Sequence, residues 1–82
     1  MIKNDYIKIF EKEFKINNIL KKQLLSNKKD IKINMFQNWD SMKHVKILTN
    51  IEKKFKINID IKNEKFFQSF QSGIKYLKKI IT

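Results

Sequence analysis

Apolar residues recur along this chain at the spacings of helices, with short alternating stretches between them. From about Asp5 to Lys15, Ile7, Phe10 and Phe14 fall at helical intervals with Tyr6 beside them, while Lys8, Lys12 and Lys15 take the wet side. Asn17 and Asn18 are placed to end that helix. The stretch from Ile19 to Asn38 has no single period. Ile19, Leu20, Leu24 and Leu25 suit a short helical turn, whereas Ile31 and Ile33 alternate as extended backbone does. It reads as a long first loop with its apolar residues tucked onto the core, or else as a loop interrupted by a helix around residues 17–25. A structureless connection of that length inside a small domain ordinarily has a function.

The period is cleanest after Asp40, a favourable N-cap. Stepping about 100° per residue over the helix from there to Phe55 places Ile47, Leu48, Ile51 and Phe55 on one face, the expected core face. Met42, Val45, Lys46, Thr49 and Lys53 lie opposite. Ile57, Ile59 and Ile61 then alternate with Asn58 and Asp60, predicting an extended passage that plugs the helix end into the core. Asn63 is placed to cap a brief turn containing Phe66 and Phe67. Ser69 is placed to cap a last helix with Phe70, Ile74, Leu77 and Ile81 at core spacing. The expected fold is an all-α bundle of three longer helices and one short helix with a long first loop, forming a single domain over 1–82.

Composition narrows the chemistry. Without cysteine there is no disulfide and no thiolate, and with one histidine no Cys/His zinc site. No apolar run suggests a signal peptide or a membrane span, so the expectation is a soluble cytoplasmic protein. All 19 basic residues are lysine against 8 acids, a net charge of +11. Such a balance points first to nucleic acid or a membrane surface. The absence of arginine, whose flat fork best suits phosphate and base recognition, argues against that partner. The skew toward Ile, Asn and Phe, without Ala or Pro, matches A/T-rich codon usage, which accounts for much of the lysine excess. The lysines at 3, 8, 12, 15, 53, 54, 78 and 79 lie on several elements, as on a generally solvated surface.

The segment Asn38-Trp39-Asp40-Ser41-Met42-Lys43-His44-Val45, leading through Ile47-Leu48 to Glu52, Phe55, Ile57 and Ile59, resembles the signature of the acyl/peptidyl carrier protein family. In that family Asp-Ser-Leu opens the second helix, which closes on a Glu-x-x-Phe-x-Ile-x-Ile type pattern. Phe67-Gln68-Ser69-Phe70 followed by Ile74-Lys75-Tyr76-Leu77 is similar to the family's entry into its last helix. The likeness covers about Phe36 to Ile81. Its motif value lies in the placement of Asp-Ser before a core-patterned helix.

The resemblance implies a stand-alone carrier whose Ser41 bears a covalent 4'-phosphopantetheine arm holding thioester-linked acyl or aminoacyl intermediates. It implies that Asp40 caps the helix and helps hold a metal belonging to the transferase during loading. It also implies a docking face at Met42, Lys43, Val45 and Lys46. No residue is assigned to catalysis or to a resident metal. The implied partners are a phosphopantetheinyl transferase, a loading ligase or acyltransferase, and the enzymes of one dedicated biosynthetic pathway. A monomer without nucleic acid is expected. Familiar fatty-acid carriers present an acidic second helix, whereas Lys43, Lys46, Lys53 and Lys54 stand here with Glu52 the only acid. Partners with acidic docking surfaces are therefore expected. Trp39 is expected to wedge the loop against the bundle, and His44, projecting toward it, is given no chemical role. The competing readings are a basic helical module for nucleic acid or an anionic surface, and a carrier-like scaffold without the arm.

Overall fold

The computed structural model describes residues 2–81, so Met1 and Thr82 of the expected 1–82 domain lie outside the described residues. Helix α1 (Ile2–Glu13) begins three residues before the expected start and buries Tyr6, Ile7, Ile9 and Phe10. Phe10 is the hub of an aromatic cluster. Its ring centroid lies 5.0 Å from Tyr6, 5.2 Å from Phe70 and 5.3 Å from Trp39, the last two edge-on. Such pairs stabilise beyond the area they bury. One ring thereby joins α1, the loop before α3 and the final helix.

Helix α2 (Asn18–Leu25) occupies part of what the sequence presents as a long first loop. Asn17 makes it possible: its side chain accepts from the Leu20 N–H at 2.8 Å, the bond an N-cap provides. The residue that suits the end of α1 thus also starts the next helix. Leu24 is fully buried, while Ile19 is largely exposed.

The rest of the connection is tied down by bonds distant in sequence. Lys32 pairs with Ser69 in an isolated antiparallel bridge. It is flanked by Ile33 N–H to the Gln68 carbonyl at 2.9 Å and Phe70 N–H to the Ile31 carbonyl at 3.0 Å. Asp30 Oδ1 accepts from the Gln71 N–H at 2.9 Å. The Gln71 side chain donates to the carbonyls of Leu24 and Lys29, each at 2.8 Å. The alternation of Ile31 and Ile33 is a real extended segment, too short for a sheet.

Helix α3 (Ser41–Phe55) buries Ile47, Leu48 and Ile51 as its period predicts, but Phe55 is only partly buried at the rim of the core. Its end is closed by Glu52. Lys56 takes a left-handed conformation (φ 55°), and the Ile57 N–H reaches the Glu52 carbonyl at 3.1 Å, the reversal common at helix C-termini. Glu52 Oε2 then accepts from the Ile59 N–H at 2.8 Å. Ile57 and Ile59 pack partly against the core, but Ile61 is 88% exposed and plugs nothing. Chain direction changes there, because a 3₁₀ helix (Ile61–Phe67) begins two residues before the expected Asn63 cap.

Helix α4 (Phe70–Ile81) starts with Ser69 Oγ accepting from the Ser72 N–H at 3.2 Å. Phe70, Gly73, Ile74 and Leu77 are buried, whereas Ile81, at core spacing in sequence, is exposed where the helix outruns the bundle. Tyr6 Oη donates to the Phe70 carbonyl at 3.1 Å and rests against Gly73, where any Cβ would overlap it. Burial pushes the Tyr6 phenol well above its ordinary range, with the Asp30 charge adding to the effect. Helix α1 packs on α2, α3 and α4, and the 3₁₀ helix packs on α4. The described residues form an all-helical bundle without strands, and none of its helices is long and apolar enough to cross a membrane.

Candidate functional site

The start of α3 is built on an extended residue. Asp40 (φ −100°, ψ −173°) turns its carboxylate back to accept from the Lys43 N–H at 3.0 Å, and its carbonyl accepts from the His44 N–H at 2.9 Å. These bonds satisfy the third and fourth positions of the helix. The N–H groups of Ser41 and Met42 have no hydrogen-bond partner among the described residues. Ser41 itself is the first helical residue and is exposed, its Oγ without a hydrogen-bond partner among the described residues. An outward hydroxyl thus stands beside open backbone donors at the positive end of a four-turn helix.

What precedes Ser41 is tied to α1 and to the first turn of α3 by side-chain bonds. Trp39, 1% exposed, packs its ring against Phe10 and against Phe14 at 5.7 Å. Its Nε1–H donates to His44 Nδ1 at 3.1 Å, clamping the residue before the cap to the first turn of α3. Gln37 exchanges two bonds with the Lys15 backbone: its Nε2 donates to the carbonyl at 2.8 Å, and its Oε1 accepts from the N–H at 3.3 Å. Asn34 and Gln37 both adopt left-handed backbone, the conformations that let the segment turn so tightly. Trp39 is therefore the expected wedge, and His44, which projects toward it as expected, accepts its indole N–H. Burial holds His44 below its ordinary pKa of 6.5, partly offset by the negative charge of Glu64. As an acceptor, its Nδ1 must be unprotonated.

The four residues expected to form a docking face divide into two kinds. Met42 and Val45 are 75% and 60% exposed, uncovered by the loop, and Lys46 is exposed beside them. Lys43 is half-buried. Its Nζ donates to the Glu13 carbonyl at 2.6 Å and lies 5.1 Å above the Phe14 ring centroid. That places its charge on the C-terminal carbonyls of α1, where a cation is favoured. Nothing in the sequence separates Lys43 from its exposed neighbours, because its partner is thirty residues away. Lys54 also has a partner, at 3.9 Å from Asp5, and Glu52 is turned inward onto Ile59.

Beside Val45, a groove of about 190 Å³ runs between α3 and the 3₁₀ helix, bounded by Leu48, Thr49, Glu52, Ile59 and Glu64. Among the described residues no hydrogen bond joins Ser41 to His44, and no cluster of histidine and carboxylate side chains is arranged to hold a metal. No family model, curated protein or solved structure matches this chain.

Proposed function

We propose that the chain is a carrier protein whose Ser41 bears a phosphopantetheine arm, serving a dedicated pathway whose enzymes meet the exposed start of α3. One observation carries the reading. Ser41, exposed and with its hydroxyl unbonded among the described residues, is the first residue of a helix capped by Asp40, and the preceding loop is held by Trp39 and Gln37. The residues present fit the linkage of such an arm. A phosphodiester on Oγ would stand next to the open N–H groups of Ser41 and Met42 at the positive helix end. Bound there, the arm supplies a thiol that this cysteine-free chain lacks.

The chain's own residues have three tasks in this account. Asp40 fixes the helix start through one carboxylate oxygen, leaving the other to face the transferase's metal. Trp39, His44 and Gln37 hold the attachment point at a constant position relative to the docking face. Met42, Val45 and Lys46 present apolar contact and positive charge to partner enzymes, which should carry acidic groups around their active-site mouths. The groove beside Val45 offers shelter to a small cargo.

The test is the intact mass of the chain after co-expression with a promiscuous phosphopantetheinyl transferase. A gain of one phosphopantetheinyl group, absent from Ser41→Ala, is the expected result. An unchanged mass with several transferases would favour an armless scaffold.

A further inference from the structure

On the face formed by α4 and the 3₁₀ helix lies a wide apolar groove of about 600 Å³, to which the carrier reading assigns no role. Phe66 and Tyr76, both half-buried, stack nearly parallel within it (centroids 4.8 Å apart, 5° between planes). Ile80, 43% exposed, continues the apolar surface along α4. Lys75 and Lys79 border it, both exposed and neither in an ion pair among the described residues, and Lys65 lies 5.5 Å above the Phe66 ring. Among the described residues no acidic side chain lines the groove. Glu64, the nearest acid on the 3₁₀ helix, lines the other groove, against α3.

We infer that this groove docks an acidic amphipathic helix of a partner protein, its apolar side chains against Phe66, Tyr76 and Ile80 and its carboxylates on Lys75 and Lys79. The two lysines are four residues apart on α4, so they stand one turn from each other on the same face. Carboxylates with the same spacing on a second helix match them. The apolar floor explains why an acidic surface alone is insufficient, since a purely polar anion leaves that floor wet. Single-stranded nucleic acid fits less well. Phe66 is stacked on Tyr76 and has the Lys65 ammonium 5.5 Å from its ring centroid, and Phe67 and Tyr76 make a T-shaped pair at 5.5 Å, so the rings are already engaged rather than open platforms for bases. A flat anionic bilayer fits a concave groove less well than a helix does.

The experiment is an amide NMR titration of the isotope-labelled full chain, unmodified at Ser41, so that its outcome is independent of the arm. The probe is a synthetic helical peptide of about 15 residues, with leucines on one face and glutamates four apart flanking them. Saturable shifts confined to the 3₁₀ helix and α4 are expected, with binding that weakens as salt rises. The double variant Lys75→Glu/Lys79→Glu should bind about tenfold more weakly or worse, and Ile80→Asp should also weaken binding, both with unchanged circular dichroism. Any one of four results would overturn the proposal. These are an absence of saturable shifts, undiminished binding by either variant, equal binding of a scrambled peptide of the same charge, and perturbation of the same residues at lower concentration by oligothymidylate or phosphatidylglycerol vesicles.

Discussion

At its N-terminal end α3 leaves the Ser41 hydroxyl and the first two backbone N–H groups facing outward, while Met42, Val45 and Lys46 surround them in solvent. At its C-terminal end the chain folds back on the same helix: Glu52 takes Ile57 on its carbonyl and Ile59 on its carboxylate. One end is finished by a short cap supported from behind by Trp39, the other by bonds that bring the following chain back onto Glu52. The contrast separates two roles that one helix can combine. At the C-terminal end the following chain returns to bond Glu52, whereas at the N-terminal end the first two N–H groups stay open, which is the end where the proposed reading brings in an outside molecule.

The largest test of that contrast concerns what lies behind each end. Trp39→Ala removes a fully packed ring that touches Phe10, Phe14 and His44, and should cost about 3–5 kcal/mol. Phe55→Ala, at the half-exposed closed end, should cost only about 1.5 kcal/mol. Denaturant unfolding of both variants measures the difference. Equal losses would mean that the two ends lean on the core alike.

Next in size is the polar finish. Glu52→Ala leaves the Ile59 N–H without its charged acceptor and should destabilise by about 1.5–2 kcal/mol. Ser41→Ala, whose hydroxyl bonds to nothing among the described residues, should stay within about 0.5 kcal/mol of the parent. A large loss at Ser41 would show that its hydroxyl serves the fold, and would weaken the idea of an open end.

Two lysines one turn apart sharpen the comparison further. Lys43→Glu should lower stability by about 1 kcal/mol, because it sets a carboxylate against the C-terminal carbonyls of α1. Lys46→Glu should leave the melt unchanged and, on the proposed carrier reading, slow loading by a cognate enzyme while flattening the salt dependence of that reaction. Identical behaviour of the two variants in melting and loading assays would erase the distinction drawn between them.

The smallest effect is a pH dependence at the open end. Burial lowers the folded pKa of His44, so on acidification the unfolded chain takes up its proton first, just below pH 6.5. The stability His44 contributes is thus complete above that value and is lost as pH falls through the depressed folded one. The fluorescence of Trp39, the one tryptophan, should change over the same window, since protonation removes its acceptor. In His44→Gln both the melting temperature and the fluorescence should lose that step, which parallel titrations can check.

Much of this architecture was legible in the sequence where local rules decide. Asp40 followed by Ile47, Leu48 and Ile51 defines both the cap and the buried face of α3, and Ser69 with Phe70, Ile74 and Leu77 does the same for α4. Helix α2 was legible only as the alternative of a helix around residues 17–25, because Asn17 serves equally well as a terminator and as a cap, and eight residues give too few turns for a period. The order in residues 28–38 comes from Asp30, Gln37 and Gln71, whose partners are 22 to 47 residues away, and polar side chains carry no periodic signal. At the candidate site, Asp40 caps the helix, and Ser41, Met42 and Val45 are exposed on it, where the cap signal and the helix period put them. The diversion of Lys43 to α1 had no sequence signal, since a lysine facing a carbonyl reads like one facing water.

The central claim, that α3 keeps its first turn open so that Ser41 can carry an arm, is tested most directly by locating the modification. The purified chain is incubated with coenzyme A and a promiscuous phosphopantetheinyl transferase, then fragmented and mapped by mass spectrometry. The account predicts a single phosphopantetheinyl group, on the peptide containing Ser41 and assigned to that serine. A group found instead on Ser26, Ser69 or Ser72, or an unmodified chain, would contradict it.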